Sequence, residues 1–106
     1  MDAPADYKNA GIANLAAGAL GAFGSLSILL FSLCLGFWYL AFAGAHAWQA
    51  YVGWQMFNGQ RVPNGKTAAI VGAVCGLLGF NPIAIVGSLI AFMLIGKPEA
   101  QQYAEG

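Results

Sequence analysis

The chain has 106 residues, 59% of them hydrophobic and 8% charged, with a formal net charge of zero; a soluble domain carries roughly 25% charged residues. That balance excludes a basic nucleic-acid surface and leaves room for one compact unit without a second domain. The charged side chains fall in three short stretches, from Asp2 to Lys8, Arg61 to Lys66 and Lys97 to Glu105, and residues 9–60 and 67–96 carry none.

A charge-free run of about 52 residues exceeds the ~18 that suggest one membrane span and suits two spans with a tight turn. A charged group at a bilayer centre costs at least ~2.5–3.5 kcal/mol, so a chain meant for lipid moves such groups to its ends. The expected fold is an all-α membrane protein, residues 1–106 forming one domain. Four transmembrane or intramembrane helices are expected in two hairpins, the last two helices short. The N-terminal stretch MDAPADYKNAG lacks the basic n-region of a signal peptide, so the first apolar segment reads as a retained helix.

In chain order, the first helix is expected over about 10–33. One helix through the whole stretch would reach roughly 78 Å, so the chain must reverse, most simply at Cys34–Leu35–Gly36–Phe37, where Gly36 gives backbone freedom. The second helix follows over about 37–57. Trp38 and Tyr39 beside Phe37 form an aromatic cluster suited to a membrane–water interface, and Trp54 with Phe57 anchors the other end.

Residues 58–66 form the internal loop. Asn58-Gly59 reads as a helix C-terminus, Pro63-Asn64-Gly65 as a β-turn, and Thr67 as the cap of the third helix. The stretch 67–96 is either one long helix kinked at Pro82 or two short ones. Asn81 as N-cap with Pro82 at the first helical position favours two, over about 67–79 and 82–96. At ~20 Å each they fall short of a ~30 Å hydrocarbon core. Their turn is therefore expected below the far surface, covered by the first two helices. Four helices bring Lys8, Arg61, Lys66 and Lys97 to one face, which the positive-inside rule makes cytoplasmic. The tails 1–9 and 97–106 then share that side, N-in and C-in. A single long third helix would move Lys97 across.

Small residues mark the helix faces. Ala13, Ala17, Gly21 and Ser25 recur every fourth residue, with Gly18 and Gly24 beside them, and Ala68, Gly72 and Gly76 repeat the spacing. Such ladders allow close backbone approach, either within the chain or toward a partner or second copy. Cys34 and Cys75 lie in apolar segments, form no disulfide framework, and read as small buried hydrophobes.

His46, the one histidine, sits mid-helix, where an ionisable residue is a functional candidate. A neutral imidazole ligates the metal of a haem or chlorophyll-type pigment. The small neighbours Gly44, Ala45 and Ala47 would leave space for a macrocycle, and the segment resembles light-harvesting helices that place small residues before a ligating histidine. The alternative is a structural hydrogen bond across a helix interface, to Gln49, Asn14 or Ser27. Catalysis is not legible: Ser25, Ser27, Ser32 and Ser88 have no acidic partner in the apolar stretches, and a lone histidine builds no triad.

From Tyr51 onward the chain resembles a loose group of small bacterial four-helix integral membrane proteins of uncharacterised function. The resemblance rests on Gly53-Trp54-Gln55-Met56, the basic loop with Arg61 and Lys66, the run Ala69 to Gly76, and a final helix from Pro82 to Lys97-Pro98-Glu99 with Tyr103 beyond. Ala84, and Ile90 or Met93, depart from that group's glycine and aromatic positions. The resemblance implies short final helices and transfers no activity. The expected function is a non-enzymatic accessory subunit in a larger respiratory or photosynthetic assembly of the bacterial inner membrane. Its partners would be lipid and other membrane subunits or copies of itself, with no cofactor and no metal. The alternatives are a pigment- or haem-binding module using His46, and a homo-oligomeric pore, for which Asn14, Ser25, Ser27, His46, Gln49 and Gln55 are the available polar groups.

Overall fold

The computed structural model describes residues 3–32 and 36–105; the expected reversal at Cys34–Leu35 and the expected burial of Cys34 lie outside them. Among the described residues there are five helices and no strand: α1 (Ala5–Phe31), α2 (Tyr39–Phe57), α3 (Gly65–Leu78), α4 (Pro82–Ile95) and α5 (Pro98–Glu105). α1 begins before the charge-free stretch because Pro4 is extended (φ −61°, ψ 152°) and its carbonyl accepts the Lys8 amide at 3.1 Å. Asp6 in the first turn suits the positive end of the helix dipole.

Two terminations follow one mechanism. At the end of α2, Gly59 takes φ +82°, its amide bonds the Met56 carbonyl and Gln60 bonds Gln55, both at 3.0 Å. At the end of α3, Asn81 bonds Gly76 at 2.8 Å and Phe80 bonds Leu77 at 3.3 Å. Both are Schellman closures around one left-handed residue. In the second that residue is Phe80, at φ 55°, one position beyond the C-cap Gly79. α4 then starts as its sequence predicts, with Asn81 Oδ1 accepting the Ala84 amide at 3.1 Å and Pro82 in the first turn.

Two expectations fail. Thr67 does not cap α3: the Asn64 carbonyl already accepts the Ala68 amide at 2.8 Å, which places Thr67 inside the first turn. The segment 97–106, expected as a tail, contains α5. The Lys97 carbonyl accepts the Gln101 amide at 3.0 Å, and Ala100 and Tyr103 turn inward. Pro98 opens this short amphipathic helix and Glu99 lies in its first turn.

Close contacts set the directions of the helices. A Cβ on Gly11 would lie 2.6 Å from Phe57 N, and one on Gly53 would lie 2.6 Å from the Gly11 carbonyl oxygen. Gly18 faces Ala50 and the His46 carbonyl in the same way, so α1 and α2 run antiparallel at backbone-to-backbone distance. Gly65 meets Met56 and Gly79 meets Phe42, which makes α3 antiparallel to α2. Gly87 meets Ala17, and Asn81 lies against Gly24, so α4 runs antiparallel to α1. The α3–α4 turn stops at Gly24, roughly 10 Å short of the end of α1 at 1.5 Å per residue. α5 bends away from α4 by 82° and folds across the opposite end.

The centre of the interior is small and polar, with Ala10, Ala17, Ala68, Ala69, Ala84, Ala91, Asn14, Gln49 and Ser88 each at most 1% exposed, while Tyr7, Val52, Met56 and Ile95 are buried in a cluster toward the α2–α3 loop. Large apolar side chains point outward, Phe23, Leu30, Phe31, Leu77 and Met93 among them. By length and composition α1 is the one helix among the described residues able to cross a membrane on its own. α3 is apolar but shorter.

Gly53→Ile and Gly72→Ile should each lower stability by at least the ~1–3 kcal/mol typical of overpacking, because backbone or a buried amide occupies the space. Gly44→Ile should be near neutral, since a Cβ there meets nothing within 4 Å. Thermal unfolding of the purified variants checks this; equal losses at all three positions would remove the packing argument.

Candidate functional site

The bundle centre holds one connected polar cluster drawn from all four long helices. Gln49 of α2 is its hub. Its Nε2 donates to Asn14 Oδ1 of α1 at 3.0 Å and to Ser88 Oγ of α4 at 2.8 Å. Its Oε1 lies 3.3 Å from His46 Nδ1, one turn earlier on α2. Asn14 Nδ2 in turn reaches the Gly65 carbonyl of α3 at 3.4 Å and Met56 Sδ at 3.7 Å. The Gln49 amide lies flat against Gly72, where a Cβ would coincide with it.

Donor and acceptor accounting fixes the polarity of the chain of bonds. The Gly65 carbonyl can only accept, so Asn14 presents Nδ2 to α3 and Oδ1 to Gln49. Gln49 must then donate through Nε2, which leaves Oε1 as the acceptor facing His46. His46 therefore carries its proton on Nδ1, and Nε2 keeps a free lone pair. A backbone carbonyl on α3 sets the tautomer of a histidine on α2 through two amides.

His46 is 1% exposed, and its ring fills the space opposite Gly21, where a Cβ would stand 2.5–2.7 Å from ring atoms. Of the three expected hydrogen-bond partners, Gln49 is the one that bonds His46, and Asn14 is reached through it. Ser27 instead donates to the Phe23 carbonyl of its own helix at 2.9 Å. Ala17, Gly21 and Ser25 all face inward on α1, Ala17 against Gly87 and Gly21 against His46. Gly72 receives Gln49, and Gly76 faces Ala84 and Ile85 of α4. Cys75 is half-buried and free. Trp38 and Trp54 are about half exposed at opposite ends of α2. Tyr39 reaches the Gly79 carbonyl at 3.4 Å and packs edge-on against Phe42.

A second cluster closes the charged end. The Tyr7 hydroxyl donates to the Gln60 carbonyl and accepts the Val62 amide at 2.8 Å, while the Tyr103 hydroxyl donates to the Gly59 carbonyl. The two rings stack edge-on, centroids 4.8 Å apart, with the Arg61 guanidinium 4.6 Å above Tyr103. Lys97 pairs with Asp6 at 3.5 Å. The loop between α2 and α3 is thus held from α1 on one side and α5 on the other. The sequence signal for this cluster is a pair of tyrosines flanking the apolar stretches, and their contact depends on the fold because Tyr7 and Tyr103 lie at opposite ends of the chain.

Gln49→Met keeps the volume but orphans Asn14, His46 and Ser88, each worth about 1–3 kcal/mol when left unpaired in a core. His46→Leu removes one bond and should cost less. Unfolding measurements that rank His46→Leu as the more damaging change would displace Gln49 from the hub.

No protein-family model, no curated protein and no solved structure matches the chain.

Proposed function

We propose that the chain is a multi-pass protein of the bacterial inner membrane, N-in and C-in. In this reading it is a non-enzymatic accessory subunit packed against a larger respiratory or photosynthetic assembly. The observation that carries the reading is the distribution of burial: amides, hydroxyls and small residues at the centre, and most large apolar side chains, Phe23, Leu30, Leu77 and Met93 among them, outside. In water that surface would be one large unsatisfied apolar patch; in lipid it needs no partner, and packing plus hydrogen bonds hold the interior. The cations support the orientation. Lys97 with Asp6, and Arg61 with Tyr103, meet at the end where α1 begins and α4 ends, as positive-inside placement requires.

Asn14, Gln49, Ser88 and His46 Nδ1 answer one another, which gives those groups a structural task. Most small residues are likewise occupied inside the chain. On the outer face of α2, Ala41, Gly44 and Ala47 are exposed. Glycine in an exposed helix costs ~1 kcal/mol relative to alanine, and nothing within the chain uses Gly44. A helix of a partner subunit, or of a second copy, fits that notch.

A pigment- or haem-binding role at His46 is the second reading. The unprotonated Nε2 favours it, since that form ligates a metal; the close seating of the ring against Gly21 opposes it, because a macrocycle would have to displace α1. A visible absorption band in the purified chain, lost in His46→Leu, would put this reading first. The pore reading has less support. Gln55 bonds Tyr51, and Ser27 bonds Phe23, each on its own helix.

In a background with Cys34 and Cys75 replaced, Lys8→Cys, Asn64→Cys and Gln102→Cys should all resist a membrane-impermeant thiol reagent added from the periplasmic side. Position 102 is the choice on α5 because Ala100 is buried and would resist labelling in either topology. Labelling at 102 alone would mean that α3 and α4 cross as one span. Gly44→Leu should leave thermal stability intact and abolish co-purification of other subunits after mild extraction. A native chain that extracts as a lone monomer would sink the accessory role.

A further inference from the structure

The outer surface of the α3–α4 hairpin carries a groove of about 200 Å³ lined by Ala69, Ile70, Ala73, Val74, Leu89 and Phe92. Alanines form its floor on α3, and larger side chains form its walls. Its lining on α3 runs from Ala69 to Val74, about 8 Å at 1.5 Å per residue, and begins one turn beyond Lys66. The Lys66 ammonium stands over the Phe92 ring, 5.2 Å from its centroid, so the one cation at the groove is placed at its mouth. Lys97 pairs with Asp6, and Arg61 stands over Tyr103, neither of which lines the groove. Glu105 lines an adjoining smaller cavity with Lys66, and the ion pair found among the described residues is that of Lys97.

We propose that this groove holds one anionic phospholipid, an acyl chain lying along its apolar floor and the headgroup phosphate resting at Lys66. The inference rests on the membrane reading. It adds to that reading a specific lipid class and a place for it. An apolar channel that opens beside an ammonium, at the end where the cations meet, has the polarity of a lipid molecule in its own leaflet. A lysine near an anionic headgroup favours it about fivefold. Lys66 is exposed, so it can be replaced without disturbing the core.

Native mass spectrometry of the full chain in mild detergent tests this, with phosphatidylglycerol or phosphatidylcholine of identical acyl chains added. One phosphatidylglycerol should be retained, about fivefold over phosphatidylcholine. Lys66→Gln should reduce that preference to parity, Ala73→Phe should lower retention of both lipids, and Glu105→Gln should not lower it. Equal retention of the two lipids, or a preference unchanged in Lys66→Gln, would overturn the proposal. Displacement by inorganic phosphate would assign Lys66 to a free anion instead, and a dimer mass abolished by Ala73→Phe would assign the groove to a second copy. A chain that stays in the aqueous phase without detergent and ignores vesicles removes the membrane reading itself. Entry into vesicles without lipid preference removes this inference alone.

Discussion

Gln49 reaches the centre of the bundle because Gly72 has no side chain. An amide at that depth must find a partner for every donor and acceptor or lose about 1–3 kcal/mol for each group left bare. It finds Asn14, Ser88 and His46, one contact to α1, one to α4 and one within α2. That arrangement fixes the rotation and the axial register of the helices together. Sliding α1 or α4 by a single residue would turn Asn14 or Ser88 away, and sliding α3 would bring a Cβ into the amide at Gly72. The apolar contacts between alanines are far less selective, since one alanine face packs much like the next.

The same constraint explains why this interior is small and polar while its exterior is large and apolar. Helices that meet at backbone distance, as α1 and α2 do through Gly11, Gly18 and Gly53, cannot place Leu or Phe between them. The bulky residues must go outside. In the proposed lipid setting this arrangement costs little, because hydrocarbon surrounds the bulky residues and dispersion plus hydrogen bonding hold the core. The exposed Gly44 stands apart from this pattern, and it is the feature that directs the proposed partner to α2.

At the charged end the logic is that of an aqueous protein. Tyr7 and Tyr103 bury their rings and direct both hydroxyls at the backbone of the loop 58–64, which has no secondary structure to satisfy it. α5 supplies Tyr103 and seals the base. This end orders the α2–α3 connection and holds α3 in the position where Gly65 can accept from Asn14, so the clasp and the central cluster support each other.

Much of the helix plan was legible in the residues. Two charge-free stretches, Asn58-Gly59 and Asn81-Pro82 locate the described helices closely, because helix ends depend on local backbone chemistry. The repeating small residues of α1 and α3 identified the contact faces for the same reason: spacing along one helix is a local property. The pairing of those faces was not local. Whether Gly72 met lipid, a partner or an amide depended on α2, and the three-residue spacing that puts Gln49 beside His46 does not show that it also reaches Asn14 and Ser88. α5 was missed because proline and charge describe a tail and an amphipathic helix equally well until Tyr103 has a Tyr7 to pack against. Where the helices run and which faces are narrow is written in local spacing. Which polar group meets which is not, because a hydrogen bond between residues 35 apart, as between Asn14 and Gln49, exists only once four helices share one register.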